Sequence, residues 1–139
     1  MDVKNISMQS IRGWMKRHPK KALWLMHQNP SYVFFREIKG AIGPIGCMGV
    51  PVVPGRSMAI DKRWLPMGAP IWFDGFHPQN HINERRLMIA QDTGGAIRGV
   101  VRGDFFWGFG KEALKEAGRM KSRGNYFILI PKSTQVPGS

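Results

Sequence analysis

The sequence predicts a mainly β fold of the α+β type, a small barrel or sandwich with a helical hairpin in front of it. Three observations carry this reading. Short apolar runs recur from residue 32 onward, cut by glycine- and proline-bearing connections as in all-β domains. Helical periodicity is confined to residues 7–29 and to one late segment. Strands and helices do not alternate, which argues against a βαβ series.

Each element follows from its residues. Ser7 suits an N-cap for a helix carrying Met8, Ile11, Trp14 and Met15 on one face. Pro19 ends that helix and fits the first position of a second, running through Ala22 to Met26 until Asn29-Pro30. Tyr32 to Phe35 reads as the first strong strand, and residues 39–55 as an extended, irregular segment punctuated by glycine and proline. Arg56 to Ile60 is a short strand, Leu65-Pro66-Met67-Gly68 a turn, and Ile71 to Phe73 another strand. The polar connection 74–83 holds His77 and His81, four apart as in some metal pairs. Pro78 breaks any helix between them and no third ligand follows, so it reads as a surface loop. Leu87–Gln91, Val100–Phe106 and Asn125–Ile130 are further strands. Ala113, Leu114, Ala117 and Met120 mark an amphipathic helix before the last of them.

Composition bounds what the chain can do. With 139 residues and 42% hydrophobic content it has the material for one modest core rather than two. A formal net charge of +12 points to an anionic partner such as nucleic acid, an acidic membrane surface or an acidic polysaccharide. No nucleic-acid-binding motif accompanies the charge, and the aromatics fall in strands rather than in a stacking array. Cys47 is the sole cysteine, which excludes an intramolecular disulfide. No apolar run approaches the ~20 residues of a transmembrane span, and residues 1–5 lack the apolar core of an export signal.

The stretch from Ala90 to Gly108 organises the functional reading. Asp92 and Asp104 stand near its ends, among glycines and aromatics, in a protein poor in acid. Thr93-Gly94-Gly95 leaves bare backbone where a ligand could approach closely. On a strand, Asp104 shares a face with Arg102 and Phe106. A carboxyl beside aromatic walls suits proton transfer. The plainer reading makes Arg102 and Asp104 an ion pair and Asp92 a turn former.

Five separate motifs then carry a resemblance: Asn29 to Phe35, Gly49 to Asp61, Leu65 to Pro70, Gln91 to Gly99, and Gly103 to Gly108. In this order they resemble the C-terminal three-aspartate domain of the membrane-bound lytic murein transglycosylase A family, with Asp61, Asp92 and Asp104 as the three aspartates. Ser7 to Trp14 also looks like the helix that precedes this domain. The resemblance implies a six-stranded double-psi β-barrel, with residues 1–30 as helical lead-in, 31–131 as the three-aspartate domain and 132–139 as a flexible tail. It implies an enzyme that cleaves the MurNAc-β-1,4-GlcNAc bond of peptidoglycan without water, leaving 1,6-anhydromuramyl ends, with no cofactor and no metal. Asp104 matches the family's catalytic acid, and Asp92, Asp61, Thr93, Gly94 and Gly95 are supporting or substrate-binding positions. Location in the cell envelope, at the periplasmic side of the outer membrane, is implied in the same way. Relatives add an upstream segment, an inserted second domain and an export signal. This chain is expected to lack them, so its barrel is expected to be incomplete, with open edges suited to strand exchange in a homodimer.

Two rival readings stand beside this one. A cationic module could bind cell-wall glycan without cleaving it. Asp92-Thr93-Gly94 is also the triplet of aspartic proteases, which would need a second copy to bring the partner carboxylate.

Overall fold

The computed structural model describes residues 6–134, so residues 135–139 of the expected tail lie outside the described residues. The chain divides into two compact units, residues 1–39 and 40–139.

The first unit holds two helices. Helix α1 (Met8–Arg17) starts at Ser7, whose side chain accepts from the Ser10 amide while the Ser10 hydroxyl accepts from the Ser7 amide. This reciprocal cap satisfies donors that a helix start leaves open. Helix α2 (Pro19–His27) begins on Pro19, whose missing N–H costs nothing at that position. Neither helix buries a residue. The run Tyr32–Phe35, expected as a strand, is unpaired backbone with Phe35 95% exposed. β-branched and aromatic residues favour strands only where a neighbouring strand accepts their hydrogen bonds and packs their side chains, and none does among the described residues.

The second unit is a mixed sheet that curls into a half-barrel. Its strands are β1 (Ser57–Ile60), β2 (Pro70–Phe76), β3 (Asn83–Asp92), β4 (Gly103–Phe105) and β5 (Asn125–Ile128). The spatial order is β4-β1-β3-β2-β5, with β1 parallel to β3 and the other pairs antiparallel. Five strands stand among the described residues where the sequence suggested six, because Tyr32–Phe35 contributes none. The strand expected over Val100–Phe106 shortens to β4, since Val100 and Val101 lie in a turn.

Alternation along the strands builds the core. Met58 and Ile60 of β1, Ile71 and Phe73 of β2, Met88 and Ala90 of β3, and Phe105 of β4 face inward, joined by Leu65 and Ala69. Truncating one of the large ones to alanine is expected to cost about 2–5 kcal/mol. Helix α3 (Gly110–Arg119) buries no residue of its own, and its C-cap Met120 packs against this cluster together with Trp107. The outer face is less covered. Phe127, Trp72 and Leu87 stand side by side across β5, β2 and β3, and all three are exposed.

Candidate active site

β1 lies between β3 and β4, and one residue of β1 pairs with both expected site aspartates. Ala59 is opposite Asp92 on β3 and opposite Asp104 on β4. Neighbouring strands lie about 4.8 Å apart, so the two aspartates stand on the order of 10 Å apart across a single methyl group.

Simple alternation would not put Asp92 there. Met88 and Ala90 point into the core, and Asp92 has the same parity. A register shift between Met58 and Ala59 makes the difference: Met58 pairs with Ala90, but Ala59 pairs with Asp92. The extra residue, Gln91, is held by the Ser57 hydroxyl, which donates to its Oε1 at 2.5 Å and accepts from the Val53 amide at 2.8 Å. Such a bulge re-aims the side chains beyond it. Here it turns Asp92 away from the core side and onto the face shared by Ala59 and Asp104. The Asp92 carboxylate is steadied by the Cys47 amide, which donates to Oδ1 at 3.0 Å.

A cavity of about 160 Å³ opens over Ala59, lined by Asp92, Asp104, Phe106, Ser57 and Val52. A second, of about 500 Å³, lies on the other side of Asp104 and is lined by Arg102, Phe105, Trp107 and Met120. Asp104 belongs to both, so it sits on the ridge between two concavities. Gly103 allows this placement, because a Cβ there would come within 2.7 Å of the Met58 sulfur.

Asp104 is less sheltered than the sequence suggested. Its side chain is 46% exposed, and Arg102 donates to both oxygens, from Nε at 2.6 Å and from Nη2 at 3.1 Å. The pairing holds the Arg102 guanidinium above its ordinary pKa, chiefly through that hydrogen bond. The ion pair that the plainer reading proposed is present, and the aromatics line the cavities beside the carboxylate without covering it.

Asp61 is placed differently. It is 2% exposed and lies just past the end of β1. Arg63 binds both its oxygens, with Nη2 2.5 Å from Oδ2 and Nε 2.9 Å from Oδ1, and the Gly99 amide donates to Oδ2 at 2.9 Å. The Arg63 guanidinium, then the Gly99 N–H, hold this carboxyl far below the usual range and outweigh the upward push of burial. Gly99 has φ +117°, a conformation that side chains other than glycine rarely adopt. It belongs to the connection 93–102 that links Asp92 to Asp104. Two other bonds tie the same connection down: the Thr93 hydroxyl donates to the Ile60 carbonyl at 2.8 Å, and the Tyr126 hydroxyl donates to the Val100 carbonyl at 2.6 Å. Gly94 and Gly95 follow Thr93 in a turn closed by the Ile97 amide on the Gly94 carbonyl. A Cβ at Gly95 would meet nothing within 4 Å, so this backbone faces open space.

The structure thus brings Asp92 and Asp104 together, while Asp61 and Thr93 act on the connection between them. Ala59 and the Ser57–Gln91 contact escaped the sequence reading. Ala59 had a faint signal, standing on β1 two residues before Asp61. The Cys47–Asp92 bond spans 45 positions and had none. His77 meets the edge of Trp107 at 5.2 Å between ring centres and lies 3.7 Å from Glu116, while His81 lines a different cavity.

Residues 56–130 match the family model described as the 3D domain, and residues 1–36 match the MltA specific insert domain. The second match corrects the expectation that nothing of the inserted domain is present. The chain is 36% identical over 132 residues to membrane-bound lytic murein transglycosylase A of Escherichia coli K12, a match covering 90% of this chain and 35% of that protein. It is 34% identical over 143 residues to the Vibrio cholerae protein of the same name, covering 95% of this chain and 38% of that one. Among solved structures, MltA from Neisseria gonorrhoeae superposes with a TM-score of 0.83 at 41% identity, over 93% of this chain and 33% of that one. E. coli MltA with bound chitohexaose superposes with a TM-score of 0.79 at 32% identity, over 92% of this chain and 39% of that one. The chain spans little more than a third of the length of the curated relatives it matches.

Proposed function

The chain belongs to the 3D domain family, in the form carried by lytic murein transglycosylase A, and from that membership we propose that it provides the acid–base wall of a peptidoglycan lytic transglycosylase. The observation that supports this most is the pair Asp92 and Asp104 facing each other across Ala59, with open space on both sides of Asp104. A relative of the same fold holds chitohexaose, a β-1,4-linked sugar polymer.

In this reading a glycan strand lies across Asp104 with its scissile MurNAc-GlcNAc oxygen at the carboxyl. Both oxygens of Asp104 accept from Arg102 in the structure, so docking of the strand must first lift the guanidinium away. Protonated Asp104 then gives its proton to the glycosidic oxygen as the C1–O bond breaks. The 6-hydroxyl of the same muramic acid attacks C1 and returns its proton to the Asp104 carboxylate. Water is not consumed and the carboxyl is regenerated, so one group serves as acid and then base. Ordinary glycosidases divide these tasks between two carboxyl groups. Asp92 is thereby free to hydrogen-bond the sugar or orient Asp104. Asp61 and Thr93 brace the connection 93–102, and the uncovered backbone at Gly94-Gly95 allows close approach of the strand.

The half-barrel ends in two strands, β4 and β5, that each have one paired side. Further strands added at these edges would close a double-psi barrel, and strand exchange between two copies is a second way to satisfy them. In this reading the protein works in the cell envelope, on the periplasmic side of the outer membrane, a location supported by the membrane-bound relatives it resembles. Among the described residues no helix is long and apolar enough to cross a membrane. The test is the release of anhydromuropeptides from sacculi, with Asp104→Asn against the parent chain. Retention of activity in that variant would remove the central assignment.

A further inference from the structure

The cavity beside Asp104 does not end at Met120. It shares Val101 and Ser122 with a third, of about 760 Å³, lined by Asp74, Arg85, Asn83, Asn125 and Arg123. It shares Lys121 and Ser122 with a fourth, of about 410 Å³, which adds Arg119 and His81. The segment 119–123 borders all three.

This segment is held in place by the sheet. Asn125 opens β5 opposite Asp74 of β2, and Gly124 lies so close to β2 that a Cβ there would come within 2.9 Å of the Asp74 carbonyl. Arg123 is therefore carried at a set position beside the end of β2. Its neighbourhood is strongly cationic. Five basic side chains border the three cavities against two carboxylates, Asp74 and Asp104, and each carboxylate is already paired with an arginine. Among the described residues, Arg119, Lys121 and Arg123 have no ion pair and no side-chain hydrogen bond. Three unpaired cations along a concave track, with asparagine and serine donors between them, form a receptor for carboxylates rather than for a neutral sugar.

We propose that the track from Arg119 through Lys121 to Arg123 binds the carboxylate-bearing peptide stem attached to the muramic acid, next to the glycan held at Asp104. This rests on the function proposed above and adds a specificity to it. Chemistry joins the two sites: the stem hangs from the muramic acid whose bond is broken, so a strand lying over Asp104 carries its acidic branch into an adjoining hollow. The charge then selects strands that still bear stems over stripped ones.

Binding by the chain itself tests this without requiring bond cleavage. The probes are the purified disaccharide–tetrapeptide and the peptide-free disaccharide, titrated by calorimetry and by amide-shift NMR. The stem-bearing probe is expected to bind about tenfold more tightly, the worth of one charge-assisted contact, and to shift the amides of residues 119–125. Arg123→Gln should remove most of that preference, and Arg123→Lys should restore part of it. Lys121→Gln, on a different exposed side chain, should give a smaller loss in the same direction. Equal affinity for the two probes, or a preference untouched by Arg123→Gln and Lys121→Gln, would overturn the proposal. So would equal competition by an anionic lipid vesicle or a DNA oligonucleotide of matched charge. Asp104→Asn should leave the stem preference intact, so failure of the catalytic assignment and failure of this one give different results.

Discussion

Two arginine–aspartate pairs of nearly identical construction lie at the two ends of this site, and they do opposite things. Asp61 is gripped by Arg63, two residues on, and Asp104 by Arg102, two residues back, each through two guanidinium nitrogens. Around Asp61 the carboxylate is buried and also receives the Gly99 amide. Around Asp104 the carboxylate is half open to solvent and borders two cavities. A buried carboxylate cannot release its donors without leaving a charge unpaired, whereas an exposed one trades them for water or a ligand at little cost. The same two residue types thus make a buried brace in one place and, in the function proposed above, a releasable latch in the other.

That contrast can be broken first at Asp104. Asp104→Asn is expected to lower anhydromuropeptide release by about 10²–10⁴-fold, with thermal unfolding close to that of the parent. A parallel collapse in melting temperature would show that this pair is structural too. Ala59→Leu comes next. The new side chain fills the space between Asp92 and Asp104, and misplacing a strand by about 1 Å there is expected to cost about 10²-fold in rate. Full activity would show that the hollow over Ala59 is not used.

Asp61→Asn should act mainly on stability. Its carboxyl titrates well below the usual range in the folded protein, so its contribution is fully present above the unfolded-state value of about 3.9. It is lost as pH falls from there toward the folded value. Denaturant unfolding of the parent should therefore weaken below about pH 4, and Asp61→Asn should start lower and lose less on acidification. An unchanged acid profile would mean that Arg63 and Gly99 do not hold the carboxylate in solution. The smallest stability effect is expected from Arg102→Gln, about 0–1 kcal/mol as for other exposed pairs. Its release of anhydromuropeptides should rise nonetheless, because the group that competes with the glycan for Asp104 is gone.

The legible parts of this molecule are those with local causes. The Ser7 cap and the Pro19 start needed only neighbouring residues, and so did the apolar strand runs at Ile71–Phe73 and Leu87–Gln91. Tyr32–Phe35 misled because four strand-forming residues do not supply the partner that a strand requires. At the site, resemblance pointed to three aspartates, but their arrangement depends on contacts far apart in sequence. The Gln91 bulge, held by Ser57, decides which way Asp92 points, and no alternation pattern contains it. The exposure of Asp104 was also hidden, since Phe106 and Trp107 read as walls beside it, whereas they line the neighbouring cavities and leave the carboxylate half open.

The most direct test of Asp104 as the single acid and base is mass spectrometry of sacculi digestion products. It should be run on the chain itself and on a chimera in which residues 40–130 replace the matching segment of the E. coli relative. The account expects 1,6-anhydromuramyl ends from the active form and none from its Asp104→Asn counterpart of equal melting temperature. Reducing, water-derived ends, or undiminished anhydro product from the Asp104 variant, would contradict it.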